Sequence, residues 1–324
     1  MRIHVAIGAY LGIGPQRVLE IKTHAPSLYR RYSVPKKGGG VRHIYHPAKE
    51  TKTIQAAAID LLYRDDLVHD CVKGYVRGLR SPLLKNASAH AGKLFLLRLD
   101  FCDFFPSIKP EDFKAVCGKR LMLNGTPLDK DDLDFLSDLF FVFNHRLGWF
   151  LGIGAPSSPF VSNWVMYNLD CLIWTASRDM GCVYTRYADD LCFSSNSKAQ
   201  LLEVEKGVQG FLVECSHPRL TLNSSKRRMS SKWSRRRVTG LTITPRQEVV
   251  VPRKTKRYIR SLLRKYIAGA MKPEEKRSLA GYLAFLNDCE PRYINNLVLK
   301  YGADIVREAF TMEYWKSTTG RSVS

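Results

Sequence analysis

The chain has 324 residues, which is long enough to bury a sizeable core and to form two or three domains or subdomains. Its hydrophobic content of 45% and aromatic content of 11% are those of a folded globular protein and exclude an intrinsically disordered chain. It contains 51 Lys and Arg against 30 Asp and Glu, and the net charge of +21 favours a polyanionic partner, of which nucleic acid is the usual one.

The positive charge is concentrated in the last third of the chain. From Ser216 to Ser324 there are 24 Lys and Arg against 8 Asp and Glu, so this segment carries +16 of the total +21. We therefore expect the surface that binds nucleic acid to lie mainly in this segment. The alternatives are a generic basic protein and a protein that binds an acidic membrane surface.

The cysteines and the apolar segments favour a cytoplasmic protein without a membrane partner. Eight cysteines are scattered without a C-x-x-C pair or the Cys/His spacing of a zinc site, which is typical of buried, reduced thiols. The N-terminal segment MRIHVAIGAYLGIGP only loosely resembles a signal peptide, and no apolar run approaches the roughly 20 residues of a membrane span.

In chain order, the first half of the sequence alternates helical and extended patterns. Residues 1 to about 30 predict a small helical lead-in, and VPKKGGGVRHIYHP (Val34–Pro47) predicts two strands joined by a basic, glycine-rich turn. Apolar residues at helical spacing predict a helix within Lys52–Leu67. The apolar run LFLLRLD predicts a buried strand that ends at Asp100, and Pro110 marks the start of a helix soon after it.

The second half predicts a hairpin and then a helical tail. LGIGAPSSPFVSNWVMYNLDCLIW (Leu151–Trp174) is a loop that leads into an apolar helix, and VYTRYADDLCFSS (Val183–Ser195) is a hairpin with two acids at its turn. A helix near Lys198–Cys215 and strands around a turn follow. The tail predicts three helices, at about Arg253–Ala268, Pro273–Asp288 and Arg292–Tyr301. Strands interspersed with helices, followed by basic helices, indicate an α+β core with a helical appendage.

Three carboxylates, those of Asp100, Asp189 and Asp190, form the candidate catalytic site. Adjacent like charges repel, so a counter-charge must stabilise the pair at the hairpin turn. Two Mg²⁺ ions roughly 3.5–4 Å apart would do so and would also catalyse nucleotidyl transfer, as Lewis acid and as clamp on the attacking and leaving oxygens. Each feature alone has an ordinary structural explanation, because Asp-Asp is common in turns. We expect Asp103 to be structural, since on a strand it would point to the face opposite Asp100.

The order and spacing of these segments resemble the reverse transcriptases, and within them the bacterial retron type. LDFCDFFPS, GAPSSPFVSN, YTRYADD and LTLNSSK are similar to four catalytic motifs of the family. NASAH (Asn86–His90) is similar to the N-A-x-x-H signature of retron enzymes, VTG (Val238–Gly240) to their other hallmark, and GYLAF (Gly281–Phe285) to a stretch of their thumbs. The resemblance runs from about Val34 to Tyr301.

The resemblance implies an α+β right-hand polymerase fold, with fingers, a palm whose antiparallel sheet is flanked by helices, and an α-helical thumb. The corresponding division is 1–92 for the N-terminal helices and fingers, 93–240 for the palm with part of the fingers, and 241–324 for the thumb and C-terminal RNA-binding region.

The resemblance also implies roles for individual residues in the chemistry. Asp100, Asp189 and Asp190, with the backbone carbonyl of Phe101, would hold two Mg²⁺ ions, for which Mn²⁺ is a possible substitute. Lys226 would protonate the departing pyrophosphate as a general acid. The alternative for this lysine is a template contact within a basic run.

Six residues would bind the incoming dNTP: Lys36, Lys37, Arg42, Phe105, Ile153 and Gly154. Arg42 and one of the lysines would contact the triphosphate, and the ring of Phe105 would exclude the 2′-hydroxyl of ribonucleotides. The alternatives are an exposed basic turn and simple core packing. The second motif of the family usually reads L-P-Q-G, whereas this chain has LGIG (Leu151–Gly154), so Ile153 replaces the amide that meets the incoming sugar and base.

Nucleic-acid contacts are expected near the retron signature and in the basic C-terminal third. RKTKRYIRSLLRKYI (Arg253–Ile267) has an apolar stripe with basic residues mostly outside it, which favours an RNA grip over a solvated face or a membrane contact. The predicted contacts are Asn86, His90, Arg235, Arg236, Arg237, Lys254, Lys256, Arg257, Arg260 and Arg264. Trp233 and Tyr258 could stack on bases.

The function implied is RNA-templated DNA synthesis on the enzyme's own structured noncoding RNA in the bacterial cytoplasm. Priming from the 2′-hydroxyl of an internal guanosine would give branched RNA–DNA, the msDNA of retrons, which serve anti-phage defence with a partner effector protein. The alternatives are another bacterial reverse transcriptase of the group II intron type, a template-independent nucleotidyl transferase, and a catalytically silent RNA-binding protein. The presence of all three aspartates argues against the silent protein.

Overall fold

The computed structural model describes residues 1–35 and 39–311, so Lys36 and Lys37 lie outside the described residues. The α-helices are α1 (Ile3–Leu11), α2 (Pro15–His24), α3 (Lys49–Leu62), α4 (Pro82–Ala89), α5 (Phe104–Ser107), α6 (Pro110–Cys117), α7 (Lys130–Phe140), α8 (Ser158–Val165), α9 (Tyr167–Asp179), α10 (Lys198–Glu214), α11 (Arg253–Ile267), α12 (Pro273–Cys289), α13 (Pro291–Tyr301) and α14 (Ala303–Thr311). Short 3₁₀ turns lie at Ala25–Ser27, Asp65–Leu67 and Ser224–Lys226.

Thirteen strands form five sheets within the described residues. The strands are β1 (Tyr29–Pro35), β2 (Val41–Pro47), β3 (Phe95–Asp100), β4 (Met122–Leu123), β5 (Thr126–Pro127), β6 (Phe141–Asn144), β7 (Gly148–Leu151), β8 (Val183–Tyr187), β9 (Asp190–Ser195), β10 (Arg228–Ser231), β11 (Arg236–Val238), β12 (Leu241–Ile243) and β13 (Val249–Val250).

The central sheet has the strand order β10-β3-β9-β8, and β8 and β9 form an antiparallel hairpin. Its inner strands are apolar and buried on both faces, as in Leu96, Leu97 and Leu191, because helices cover them. The helices α9 and α10 pack on the β8–β9 hairpin and on each other. This is the predicted palm arrangement, a sheet that carries the acids at its strand ends with helices behind it.

Two compact units make up the chain, and they divide it differently from the predicted three parts. The first comprises residues 1–78 and 97–229, and the second comprises 79–96 and 230–324. Most of the predicted fingers and palm lies in the first unit, whereas residues 79–96 and 230–240 lie in the second. The division into fingers, palm and thumb stays a prediction.

The second unit contains the three-stranded antiparallel sheet β11-β12-β13, the helix α4 packed on it, and the helices α11–α14. Ile259, Leu262 and Leu263 are the buried stripe of α11, at the spacing that places residues on one helix face. The three predicted tail helices are confirmed to within two residues at each end. A fourth helix, α14, follows Gly302 and was not predicted.

Several smaller predictions can be compared with the structure. The hairpin strands on either side of the glycine-rich turn are confirmed, and all eight cysteines are free thiols. In the residues that the structure describes, no helix is both long and apolar enough to cross a membrane. The reasoning for Asp103 was wrong, because β3 ends at Asp100 and Asp103 immediately precedes α5 with a φ of 39°.

Candidate active site

The turn of the β8–β9 hairpin presents the adjacent acids. Tyr187 pairs with Asp190, which leaves Ala188 and Asp189 as a two-residue turn. Ala188 has a φ of 55°, the left-handed conformation that such turns require and that an alanine adopts at a cost. Asp189 thus lies at the tip of the hairpin, and Asp190 is the first residue of β9.

The end of β3 lies directly beside this turn. The amide of Phe101 donates a hydrogen bond to the carbonyl of Asp189, with an N···O distance of 3.3 Å. On the other side, the amide of Asn223 donates to the carbonyl of Asp100 at 2.7 Å. Backbone hydrogen bonds therefore bring Asp100 to the hairpin tip, as the sequence analysis expected.

The three carboxylates lie in one electrostatic field. Burial raises the pKa of Asp189, and the charges of Asp100 and Asp190 raise it further. Burial also raises the pKa of Asp100, and there the neighbouring Lys226 opposes the shift. A carboxylate whose pKa is raised by other carboxylates is one for which additional positive charge is favourable.

Two basic side chains supply counter-charge within the site. The ammonium of Lys226 lies 2.7 Å from Oδ1 of Asp100. The guanidinium of Arg98, two residues before Asp100 on β3, lies 3.1 Å from Oδ1 of Asp190. With these oxygens engaged, no three His, Cys, Asp or Glu side chains in the described part of the chain are arranged as a ready metal site.

A buried ion pair supports the hairpin from behind. Arg186 of β8 and Asp170 of α9 both have fully buried side chains, and their N···O distance is 2.6 Å. The same guanidinium donates to the side-chain oxygen of Asn163 and to the carbonyl of Ala188, both at 3.1 Å. Arg186 thus fixes the strained residue that immediately precedes Asp189.

The described residues predicted to bind dNTP all lie in the first unit. Arg42 is exposed on β2 opposite Val34. The ring of Phe105 is half-buried and meets Phe104 edge-on at a centroid distance of 5.3 Å. These positions leave the predicted contacts open to a ligand, and their roles stay predictions.

The loop of the second motif packs against β2. The carbonyl of Ile153 accepts a hydrogen bond from the amide of Tyr45 at 2.7 Å. Gly154 has a φ of 109°, and a Cβ there would lie 2.7 Å from Cγ2 of Ile44. Glycine is therefore required at 154 by backbone conformation and by the close approach of β2.

Two predicted nucleic-acid contacts, Asn86 and His90, are corrected by the structure. Both side chains are buried, and burial lowers the pKa of His90 to about 3. The amide of Asn86 lies 3.5 Å from the hydroxyl of Thr239. The NASAH and VTG segments therefore meet inside the second unit, and the side chains of Asn86 and His90 do not lie on its surface.

The structure corrects the prediction for Arg236, which is buried, and it pairs Lys256 with an acid. Arg236 is 1% exposed and donates to the carbonyls of Lys93 and Thr244. The ammonium of Lys256 lies 2.6 Å from the carboxylate of Glu290. Arg236 is therefore not available to a ligand, whereas Lys256 is partly exposed and its contact stays a prediction.

The remaining predicted contacts are accessible. Arg235, Arg237, Lys254, Arg257 and Arg264 are exposed, and Arg260 is partly exposed. Trp233, in the turn before β11, is 86% exposed. These residues keep their predicted role in binding nucleic acid.

Sequence reasoning missed Arg98, Asn163, Asp170 and Arg186. Arg98 could have been found, because residues two apart on a strand share a face and Arg98 precedes Asp100 by two. The buried network around Arg186 had a weaker signal in the sequence, which is an arginine in the middle of an apolar strand. A buried arginine must have a partner.

Comparisons with known proteins identify the family of this chain. A family model described as reverse transcriptase (RNA-dependent DNA polymerase) matches residues 34–243. The retron Ec83 reverse transcriptase of Escherichia coli is 33% identical over 293 residues, which cover 89% of this chain and 91% of that protein. The retron Ec73 reverse transcriptase of Escherichia coli is 29% identical over 297 residues, which cover 87% of this chain and 89% of that protein.

Among solved structures, telomerase from Candida albicans in complex with the TWJ fragment of telomeric RNA is 10% identical to this chain. The TM-score is 0.49, and the match covers 90% of this chain and 62% of the telomerase chain.

The family match over the motif-bearing residues and the similarity to two full-length relatives confirm the predicted right-hand polymerase fold and the RNA-directed DNA polymerase activity. RNA and DNA are accordingly its partners, and enzymes of this kind use divalent metal ions. The chain belongs to the retron-type reverse transcriptases.

Proposed function

We propose that this enzyme reverse transcribes a cognate structured noncoding RNA and starts DNA synthesis from a 2′-hydroxyl of that RNA. The product would be a branched RNA–DNA molecule, made in the bacterial cytoplasm as part of an anti-phage system with an effector protein. The observation that carries this proposal is the 33% identity to the retron Ec83 reverse transcriptase, which extends over 91% of that protein.

Asp100, Asp189 and Asp190, with the carbonyl of Phe101, would hold two Mg²⁺ ions, with Mn²⁺ as a substitute. The donor set suits these ions, because it offers only oxygen ligands. Burial raises the pKa of Asp189, and the charges of Asp100 and Asp190 raise it further, which supports a site where a cation is favourable. When bound, the ions supply Lewis acidity and neutralise charge on the reacting phosphate.

The basic residues around the carboxylates would handle the nucleotide. Lys226 is half-exposed, and the hydrogen bond from its ammonium to Asp100 helps to raise its pKa, against the effect of burial. It is therefore protonated at neutral pH and can donate a proton to departing pyrophosphate. Arg42, with Lys36 or Lys37, would bind the triphosphate, and Phe105 would exclude the 2′-hydroxyl of a ribonucleotide.

The exposed cations of the C-terminal third would bind the RNA backbone. They are Arg235, Arg237, Lys254, Arg257, Arg260 and Arg264. Contacts from such side chains to phosphates give affinity that falls steeply with salt. Recognition of the particular RNA would then depend on its shape and its 2′-hydroxyls.

The decisive experiment is to express the chain in a bacterium together with its neighbouring genomic sequence, purify it, and sequence the nucleic acid that copurifies. We expect short DNA joined to RNA through a 2′–5′ linkage, which survives RNase as a DNA with a few attached ribonucleotides and is shortened by a debranching enzyme. The matched control is the Asp189→Asn/Asp190→Asn variant, which should retain the RNA but contain no DNA.

Two results would contradict the proposal in different ways. DNA that starts from a linear end would exclude 2′-priming while leaving reverse transcription intact. DNA made by the Asp189→Asn/Asp190→Asn variant would overturn the assignment of the catalytic carboxylates.

A further inference from the structure

A tyrosine in the loop before α4 is held in a strained conformation beside the carboxylates. Tyr75 has a φ of 59°, in the left-handed region that is costly for a residue with a large side chain. It is nevertheless 43% exposed, so packing of the ring does not explain the strain. Strain at an exposed aromatic residue beside a catalytic centre points to a functional role.

The backbone of this loop is packed tightly against the hairpin turn. A Cβ at Gly74 would lie 3.1 Å from the amide nitrogen of Ala188 and 3.1 Å from the ring of Tyr187. A larger residue at position 74 would fit only if the turn or the ring of Tyr187 moved by a few tenths of an ångström. The residue that follows Gly74 is thereby placed next to the turn that carries Asp189.

Hydrogen bonds fix the loop on both sides of Tyr75. The side-chain amide of Asn163 donates to the carbonyls of Gly74 at 2.9 Å and Tyr75 at 3.3 Å. The amide of Arg77 donates to the hydroxyl of Tyr63 at 3.1 Å. Asn163 is itself bonded to Arg186, so one buried network holds both the catalytic hairpin and this loop.

The ring of Tyr75 lies against that of Tyr187, the residue two before Asp189. The two ring centroids are 6.0 Å apart. Burial raises the pKa of the Tyr75 hydroxyl, the charge of Asp189 raises it further, and the charge of Arg42 lowers it. The hydroxyl is therefore protonated at neutral pH, and it is within electrostatic range of both the catalytic carboxylate and the proposed triphosphate cation.

We infer that Tyr75 is a further nucleotide-binding residue, whose hydroxyl donates a hydrogen bond to a phosphate oxygen of the incoming dNTP. The inference rests on the proposed nucleotide site, because it places the triphosphate between Arg42 and the carboxylates. A protonated phenol is a donor, and hydrogen bonds to charged phosphate oxygens are among the stronger ones. The fixed loop supplies the donor already oriented, which lowers the entropic cost of binding.

The test compares Tyr75→Phe and Tyr75→Gly with the wild-type chain in primer extension on an RNA template, with the concentration of one dNTP varied. Loss of a hydrogen bond to a charged group predicts that Tyr75→Phe raises the KM for dNTP about tenfold, with kcat changed less than about twofold. Binding of a fluorescent dNTP, measured with Ca²⁺ so that no chemistry occurs, should weaken by the same factor. Tyr10→Phe, an exposed tyrosine on α1, is the matched control and should change neither value.

Tyr75→Gly separates binding from stability. Glycine adopts a positive φ freely, so this variant should melt at the same or a higher temperature than the wild type while losing at least as much dNTP affinity as Tyr75→Phe. If the ring has a purely structural role, Tyr75→Gly should instead melt at a lower temperature than the wild type and bind dNTP with unchanged affinity.

An unchanged KM and unchanged dNTP binding in Tyr75→Phe would overturn the inference. If Asp189→Asn/Asp190→Asn still abolishes incorporation in the same assay, only the role of Tyr75 fails. If that variant remains active, the proposed active site itself is wrong.

Discussion

Lys226 and Asp100 are separated by 126 residues in the sequence and form a direct ion pair, with Nζ 2.7 Å from Oδ1. The pair engages an oxygen that a divalent ion would use. Lys226 therefore has two expected effects: it competes with metal at Asp100, and it supplies a proton when pyrophosphate leaves.

Replacing Lys226 with Met should change these two properties in opposite directions. Without nucleotide, Lys226→Met should bind Mn²⁺ several-fold more tightly in calorimetry, because a positive charge about 3–4 Å from the site has been removed. Its rate of dNTP incorporation should fall by about 10²–10⁴, the usual contribution of a general acid. Lys206→Met on α10, whose side chain is 71% exposed, is the control and should change neither property. Equal Mn²⁺ affinity in Lys226→Met and wild type would show that the ion pair does not compete with metal.

The raised pKa of Asp189 predicts how stability depends on pH. A carboxyl whose folded pKa lies above its unfolded value destabilises the fold while it is ionised, and this cost disappears as pH falls through the folded pKa. In the presence of EDTA, Asp189→Asn should therefore melt roughly 2–4 °C above wild type at pH 7. The difference should shrink towards zero as the pH approaches the unfolded pKa of about 3.9.

Thermal melts from pH 4 to pH 8 measure this dependence. Asp304→Asn is the control, because the side chain of Asp304 is fully exposed and should show no such trend. An Asp189→Asn variant that melts below wild type at pH 7 would show that the carboxylate is stabilised in the metal-free protein.

The elements that carry the acids could be predicted because they are local. Short apolar runs bounded by turn residues predict the strand that ends at Asp100 and the hairpin around Asp189. Side-chain direction was harder to predict. Arg235, Arg236 and Arg237 look alike in sequence, yet the residues of β11 alternate, so Arg236 and Val238 are buried while Arg237 is exposed.

Apart from the meeting of Asp100 with the hairpin acids, partners distant in sequence were not predicted. The lysine that pairs with Glu290 and the asparagine that meets Thr239 were identified from composition and motif, neither of which states whether a side chain faces solvent. A signature motif such as NASAH marks residues that matter to a family. In this structure the side chains of Asn86 and His90 are buried.

Breaking the buried ion pair of Arg186 and Asp170 should lower the free energy of unfolding more than replacing both residues does. Arg186→Met or Asp170→Leu alone leaves an unpaired buried charge, so each should lower the free energy of unfolding by about 3–5 kcal/mol. The double variant should regain most of that loss. It should not regain polymerase activity, because the carbonyl of Ala188 still lacks its hydrogen bond from Arg186.

Urea unfolding and primer extension on the same preparations test this prediction. The control is Arg178→Met at the end of α9, which breaks the ion pair between Arg178 and Asp179. The side chains of these two residues are 60% and 62% exposed. Exposed pairs contribute about 0–1 kcal/mol. A double variant with full activity would show that the network serves stability alone.

Phe105 and Phe104 are neighbours with different expected roles. Phe105 is half-buried, whereas Phe104 is 3% exposed and stacks on Phe101 at a centroid distance of 5.6 Å. Phe105→Ala removes the ring proposed to meet the sugar, so discrimination between dNTP and rNTP should fall by about 10–100-fold in kcat/KM.

Phe104→Ala instead removes a ring from the core, which should lower the free energy of unfolding by about 3–5 kcal/mol and leave the sugar preference of the surviving folded enzyme unchanged. Competition between dCTP and CTP on one template measures discrimination, and urea unfolding measures stability. If Phe104→Ala relaxed the sugar preference as far as Phe105→Ala, the whole α5 turn rather than one ring would set it. Retained discrimination in Phe105→Ala would exclude its ring from the gate, since no other side chain would have changed.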